Sequence, residues 1–273
     1  MLSVSTPEHL KNIETLQSEH LKFVDPSQSP TNYGELPIFI QLGYNVHGNE
    51  PSSSEAALLT AYTLVASNSP DIKNYLENSI IFIDPTINPD GRDRYVNWYN
   101  NAVGSNYNTD PAAREHMEPW PAGRSNHYNF DLNRDWAWQT QTESIQRMVK
   151  YNEWMPEIHC DFHEQGINNT YYFAPAAEPF HEVITPWQRD FQTTIGKNHA
   201  KYFDANGWFY FTKEIFDLFE TLNENNTFAN HKTFISIIED LDAKVYDFEN
   251  DFFDFKKNYK MDEIKKQIML LTV

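Results

Sequence analysis

One cysteine, Cys160, is all that the 273 residues contain, so the chain closes no internal disulfide, and its cysteine usage selects neither a reducing nor an exporting setting. Positive charge is also scarce. Lys and Arg number 21 against 39 Asp and Glu, for a formal net charge of −18. Such a chain repels phosphates and anionic headgroups, which argues against nucleic acid and membrane surfaces as partners; the plain effect of the acidity is solubility. No apolar run approaches the ~20 residues that span a bilayer. Met1 to Glu8 carry neither the basic segment nor the apolar core of a signal peptide, and the compartment is not legible. Several catalytic signatures are missing as well. There is no G-x-S-x-G and no Gly-rich phosphate loop, and after His163-Glu164 the second His of an H-E-x-x-H helix is replaced by Ile167.

What remains is 40% hydrophobic and 15% aromatic, enough for a substantial core in one large α/β domain or two small ones. Thr6, Pro7 and Glu8 mark a helix start, and the spacing predicts a helix to about Lys22. Leu36–Leu42 reads as a buried strand, and a helix over about 53–66 follows, with three serines placed to cap it. Pro70 starts a short helix. Ser79–Asp84 is a second strand, closed by the turn formers Pro85 to Gly91. Residues 92–127 are polar, aromatic and poorly patterned, as in a long functional loop or a set of short helices. A helix over about 141–154, a third strand at Glu157–His163, a strand near 170–174, a helix over about 185–205 and a strand at Trp208–Thr212 complete the pattern. Residues 227–269 read as helical. No repeat, low-complexity segment or linker divides the chain, and the order of elements argues for a layered α/β fold.

His47 and Glu50 lie on the loop between the first strand and the helix after it, where open α/β sheets bind ligands. Hydrolytic zinc takes three His or carboxylate ligands and leaves a fourth position for water. His47 and Glu50 supply a close pair, and His163, ending another strand, suits the distant third. Strand alternation puts His159, Asp161 and His163 on one face, and Asp161 or Asp131 is placed to orient a ligand. A histidine taken alone is most often an ordinary polar residue, so the spacing by itself carries only part of the case. Asn133-Arg134 offers a fork and an amide that match a carboxylate, although a surface salt bridge is the commoner fate of an arginine.

Four ordered segments resemble the zinc carboxypeptidase family of the carboxypeptidase A type: His47-Gly48-Asn49-Glu50, Asn88-Pro89-Asp90-Gly91, Asp131-Leu132-Asn133-Arg134 and Asp161-Phe162-His163. The resemblance runs from about Ser5 to Phe219 and is nearest to a bacterial branch of larger members. It implies a single catalytic domain over 1–273, with a three-layer zinc-exopeptidase-like fold whose mixed central sheet is flanked by helices and incomplete. It implies Zn2+ held by His47, Glu50 and His163, with Asp131 behind a zinc-bound histidine. Asn133 and Arg134 would take the terminal carboxylate of a peptide or protein substrate, and the last peptide bond would be hydrolysed by activated water. The family's general base is a Glu on a late strand after a Gly- and Tyr-rich loop. Here Phe219 is followed by Glu220 to Asn226 and a predicted helix over 227–241, so the loop, the strand and its Glu are expected to be missing. The strands usually upstream of Ser5 are expected to be missing too. Glu214, Glu220 and Glu224 are acids near the gap, none in the expected context. The group that polarises the carbonyl is unassigned, Arg92 and Arg94 having the wrong spacing. Two other readings stay open: a non-catalytic zinc- and carboxylate-binding relative, and an amidohydrolase of the same fold.

Overall fold

The structure is a computed structural model. It describes residues 1–25, 27–28, 34–164, 171–176, 178, 180, 182–212 and 236–240. In chain order these form β1 (Leu2–Val4), α1 (Pro7–Lys11), α2 (Ile13–Leu21), β2 (Ile38–Tyr44), α3 (Pro51–Ala66), α4 (Pro70–Asn78), β3 (Ser79–Asp84), α5 (Pro89–Ala102), α6 (Thr142–Trp154), β4 (Ile158–His163), β5 (Tyr171–Tyr172), α7 (Pro186–Asn206), β6 (Tyr210–Phe211) and β7 (Ser236–Asp240). Two 3-10 turns, Arg114–His116 and Leu132–Arg134, punctuate the long stretch between α5 and α6.

Five strands make one mixed sheet in the order β1-β3-β2-β4-β7. The β3–β2, β2–β4 and β4–β7 pairs are parallel, and β1 runs antiparallel to β3. β2 and β4 are buried along their whole length and β3 as far as Ile83, as continuous apolar runs such as Ile38-Phe39-Ile40 require. Because side chains alternate, each strand feeds two cores. Ile38, Ile40, Leu42 and Tyr44, with Ile81, Ile83, Ile158, Cys160 and Phe162, pack against α3, α4 and α7. Phe39, Ile80 and Phe82 face Ile13, Leu16 and Trp154 of α2 and α6 on the other side. The result is the three-layer α/β architecture.

Local chemistry sets the helix ends. The Thr6 and Ser69 side chains accept backbone N–H bonds at the starts of α1 and α4, and Thr185 with Gln188 closes a capping box on α7. Ser52, Ser53 and Ser54, whose position in the sequence suggested capping, lie inside the first turn of α3 and do not cap it. Glu50 is the N-cap residue, and the Ser52 N–H is taken by Glu164 Oε1 at 2.6 Å, from the residue after β4.

Several expectations change. The first helix is two, α1 and α2, meeting at Asn12. The stretch 92–127, read as a long functional loop or a set of short helices, begins inside a regular helix, α5, whose N-cap Asn88 accepts the Gly91 N–H at 2.9 Å. Tyr95, Trp98 and Tyr99 lie at helical spacing along it and their rings meet, a period hidden by the polar residues between them. Leu2–Val4 pairs in register with Ile81–Ile83, so an edge strand does precede Ser5. The expected helix over 227–241 is corrected at Ser236–Asp240, which is strand β7 paired to β4. The remainder of 227–269, and Glu214, Glu220 and Glu224, lie outside the described residues.

Candidate metal centre

Three loops meet at the carboxyl ends of β2, β3 and β4, and they meet backbone to backbone. A Cβ on Gly48 would lie 2.1 Å from Arg92 N, and one on Gly91 2.3 Å from Gly123 O, so only hydrogen fits at either position. Asn88, fully buried, ties the three loops together. Its Oδ1 accepts from Gly91 N at 2.9 Å, and its Nδ2 donates to Val46 O at 3.3 Å and Arg124 O at 3.1 Å. Asn45 ends β2 in the left-handed region, at φ 59, and its Nδ2 donates to the carbonyls of His47 and Glu50, both at 2.8 Å. The loop bearing His47 and Glu50 is therefore fixed from both sides.

His47, Glu50 and His163 converge, with one ligand atom of each within 4.8 Å of the others. His47 Nδ1 lies 2.7 Å from Glu50 Oε1; His163 Nδ1 lies 3.2 Å from Glu50 Oε2 and 3.2 Å from His47 Nδ1. Tetrahedral zinc with bonds of about 2.0–2.1 Å sets its donors roughly 3.4 Å apart, so this trio fits that group with a small opening. The outer ring nitrogens are directed elsewhere. His47 Nε2 faces Asp131 Oδ1 at 3.3 Å, and His163 Nε2 faces Asp161 Oδ2 at 3.1 Å. A carboxylate on the far nitrogen leaves Nδ1 of each ring as the inward-facing lone pair.

The charges match that reading. Burial pushes the Glu50 carboxyl up, but hydrogen bonds from His163 and His47 outweigh it and hold the group at about 2. Asp131 is likewise raised by burial and then held well below the carboxylate range by His47 and Arg124. Asp161, fully buried, is brought to about 2 by His163. Burial lowers His163 and His47, and their carboxylate partners more than reverse it. The site is a pair of rings clasped by three ionised carboxylates, the electrostatics of a cation seat.

Asp131 opens the 3-10 turn Leu132–Arg134, and its Oδ1 accepts the Asn133 N–H at 2.9 Å. Asn133 is half-buried and Arg134 exposed, its Nη1 donating to Asn133 O at 3.1 Å. The turn thus sets both beside the residue that touches His47. Arg124, which sequence reasoning did not single out, is at the site as well. Its Nε donates to Asp131 Oδ2 at 2.9 Å, and its Nη1 lies 3.4 Å from His47 Nδ1. Only its place seven residues before Asp131 hinted at this. Arg92 pairs with Glu55, and Arg94 donates to the carbonyls of Ala122, Ser125 and Asn126, so both serve structure. The edge strand β7 brings Glu239 and Asp240 into register with Phe162 and His163.

A zinc carboxypeptidase family model matches residues 9–186, more than half of the chain. Carboxypeptidase E of Caenorhabditis elegans is 33% identical over 125 residues, 45% of this chain and 23% of that protein. Carboxypeptidase Z of Mus musculus is 27% identical over 124 residues, 44% and 17% of the two. The matches thus span less than a quarter of these curated relatives. Among solved structures, a metallo-carboxypeptidase from Burkholderia cenocepacia superposes with a TM-score of 0.52 at 11% identity, over 89% of this chain and 57% of that one. That likeness is one of fold.

Proposed function

The chain belongs to the zinc carboxypeptidase family, and from that premise we propose that it is a metallocarboxypeptidase, hydrolysing the last peptide bond of peptide or protein C-termini with Zn2+ held by His47, Glu50 and His163. One observation carries the reading: two imidazole Nδ1 atoms and a carboxylate converge on one point, each ring fixed from behind by an acid. Zinc, when bound there, supplies Lewis acidity toward a carbonyl and acidifies water.

The chain's own residues supply the rest. Asp131 and Asp161 hold the rings. Asn133 and Arg134 bind the substrate's terminal carboxylate, the guanidinium by a two-pronged contact and the amide by one further donor, and so place the last peptide bond at the site. Arg124 points a guanidinium edge toward His47 and is the donor available to a developing oxyanion. The proton-transfer role falls to a carboxylate of β7. The family resemblance asks for a Glu on a late strand, and β7 is a late strand beside β4 that carries Glu239 and Asp240 at its carboxyl end, in register with Phe162 and His163.

The test joins metal analysis to turnover. Purified protein should hold one zinc per chain and release free C-terminal amino acids from peptides. One of Glu239→Gln and Asp240→Asn should abolish turnover with zinc retained; full turnover in both would remove β7 from the proton transfer. A chain that binds zinc yet cleaves only N-acyl amino acids would make it an amidohydrolase, and one that binds zinc and peptide without turnover a binding relative.

A further inference from the structure

Beneath the metal centre, β4 presents three polar side chains to the α6 layer. His163 is outermost, Asp161 is next and His159 is deepest, and all are buried. Asp161 spends Oδ2 on His163, while its Oδ1 is buried and has no hydrogen-bond partner among the described residues. The sheet register shows what lies beside it. Asp84 of β3, Gly43 of β2 and Asp161 of β4 lie in one row across three neighbouring strands. Parallel partners share a face, so two carboxylates flank a position that has no side chain. A Cβ on Gly43 would come within 3.2 Å of Ile87 Cδ1 and 3.4 Å of His159 Nε2, so those two side chains fill the room that glycine leaves.

The cation of this layer is Arg147 of α6, the only Lys or Arg that is buried among the described residues. Its guanidinium carbon stacks 3.4 Å from the centre of the Trp136 ring, which in turn lies 5.2 Å from the His159 ring. Nη2 reaches Leu132 O at 3.4 Å, in the turn that follows Asp131. Nε and Nη1 are both buried and have no hydrogen-bond partner among the described residues. Burial pulls the guanidinium down to about 10 against the attraction of Asp161, Asp84 and Asp135. A buried cation with two idle donors and a buried carboxylate with an idle acceptor in one layer call for a water-bridged pair, since a buried orphan of either kind is costly.

We propose that Arg147 is a positioning residue for the metal centre: through ordered water it holds the outer oxygen of Asp161, and Asp161 in turn fixes the ring of His163. Arg147 touches neither substrate nor metal. It acts two contacts away, and its contact with Leu132 O joins the Asp161 arm to the Asp131 arm, so one guanidinium braces the residues behind both histidines. The inference rests on the zinc reading of His47, Glu50 and His163.

The experiment is zinc affinity, measured by competition with a chromogenic chelator on the full chain, alongside the melting temperature of the metal-free protein. Arg147→Met should weaken zinc binding on the order of 10–100-fold, the usual effect of losing an outer partner. Arg147→Lys, which keeps the charge, should restore most of it. Asp161→Asn should weaken binding to a similar degree, and adding Arg147→Met to it should change affinity by less than about twofold, because the two act in one chain of contacts. If Arg147→Met does not fold, Arg147→Gln takes its place with the same expectations. Zinc affinity unchanged in the Arg147 variants, or full multiplicative loss in the double variant, overturns the inference and leaves the metal reading intact. Absence of stoichiometric zinc from the wild-type chain overturns both.

Discussion

His47 Nδ1 and His163 Nδ1 stand 3.2 Å apart, with 116 positions of sequence between the two residues. Two imidazole lone pairs at that distance repel unless a proton or a cation lies between them, and Glu50 makes a cation the better occupant. His47→Ala, Glu50→Ala and His163→Ala should each reduce zinc in the purified protein to well below one equivalent, read by atomic absorption. Retention of full zinc by any of them would remove that residue from the ligand set.

The carboxylate clamp separates from the metal. Arg134→Ala should raise KM for peptides by roughly 10–100-fold, as expected from losing a charge-assisted pair worth about 1.5–3 kcal/mol. Zinc content should not change. Arg124→Met should instead lower kcat, by about 100-fold or more, in keeping with loss of an oxyanion donor. Steady-state kinetics on one peptide series distinguishes the two, and an unchanged kcat in Arg124→Met would refute its assignment.

The glycine seam gives a stability prediction. Gly48→Ala and Gly91→Ala force a methyl against backbone atoms, which commonly costs about 1–3 kcal/mol, and the 2.1 and 2.3 Å approaches place these two at or beyond the upper end. Asn88→Ala should cost about 1–3 kcal/mol, because it strands Gly91 N–H with the Val46 and Arg124 carbonyls. Urea denaturation of the metal-free protein reads all three, and a Gly48→Ala protein as stable as wild type would mean the loops do not meet as described.

Two buried histidines far from solvent make the fold sensitive to mild acid. Burial lowers His159 to about 4 and His199 to about 3, from an ordinary value of 6.5. Between those limits the unfolded chain binds more protons than the folded one, so stability falls as pH drops through the window. His47 and His163 shift upward in the metal-free protein, so their contribution is present at low pH and is lost as pH rises through their folded values. The signs oppose, and the test must be differential. Between pH 6 and 4.5, His159→Phe and His199→Phe should each flatten the fall of unfolding free energy by about 1.4 kcal/mol per pH unit relative to wild type. Parallel slopes would show these histidines to be solvated in the fold.

The sheet's central strands were legible because fully buried strands leave unbroken apolar runs, and Ile38–Tyr44, Ser79–Asp84 and Ile158–His163 are such runs. His47, Glu50 and His163 were legible because strand ends and loop spacing constrain where donors fall. What escaped notice has physical causes. Helix α5 carries its aromatic period under Arg, Asp and Asn. Strand β7 is short, and its Ile237-Ile238-Glu239-Asp240 matches a helix period as easily as a strand. Arg124 belongs to no regular element, and the backbone contact of Gly123 with Gly91 and the bond from Asn88 to Arg124 O bring it to the loop of His47. Arg147 reads in sequence as one more helix cation, and its burial becomes visible only when Trp136 lies under it.

The seam of Gly48, Gly91 and Gly123 divides the chain into what can drift and what cannot. Where backbone touches backbone there is no side chain to exchange, so the donors beside the seam are insulated from gradual repacking. The stretch between α5 and α6 gives Gly123 to the seam and also carries rings of the opposite kind. Tyr107, Trp120 and Tyr128 hold 81%, 84% and 71% of their surface in solvent, where a change of side chain meets water rather than backbone. New substrate preferences would therefore be written in that exposed border, over a floor that admits no revision.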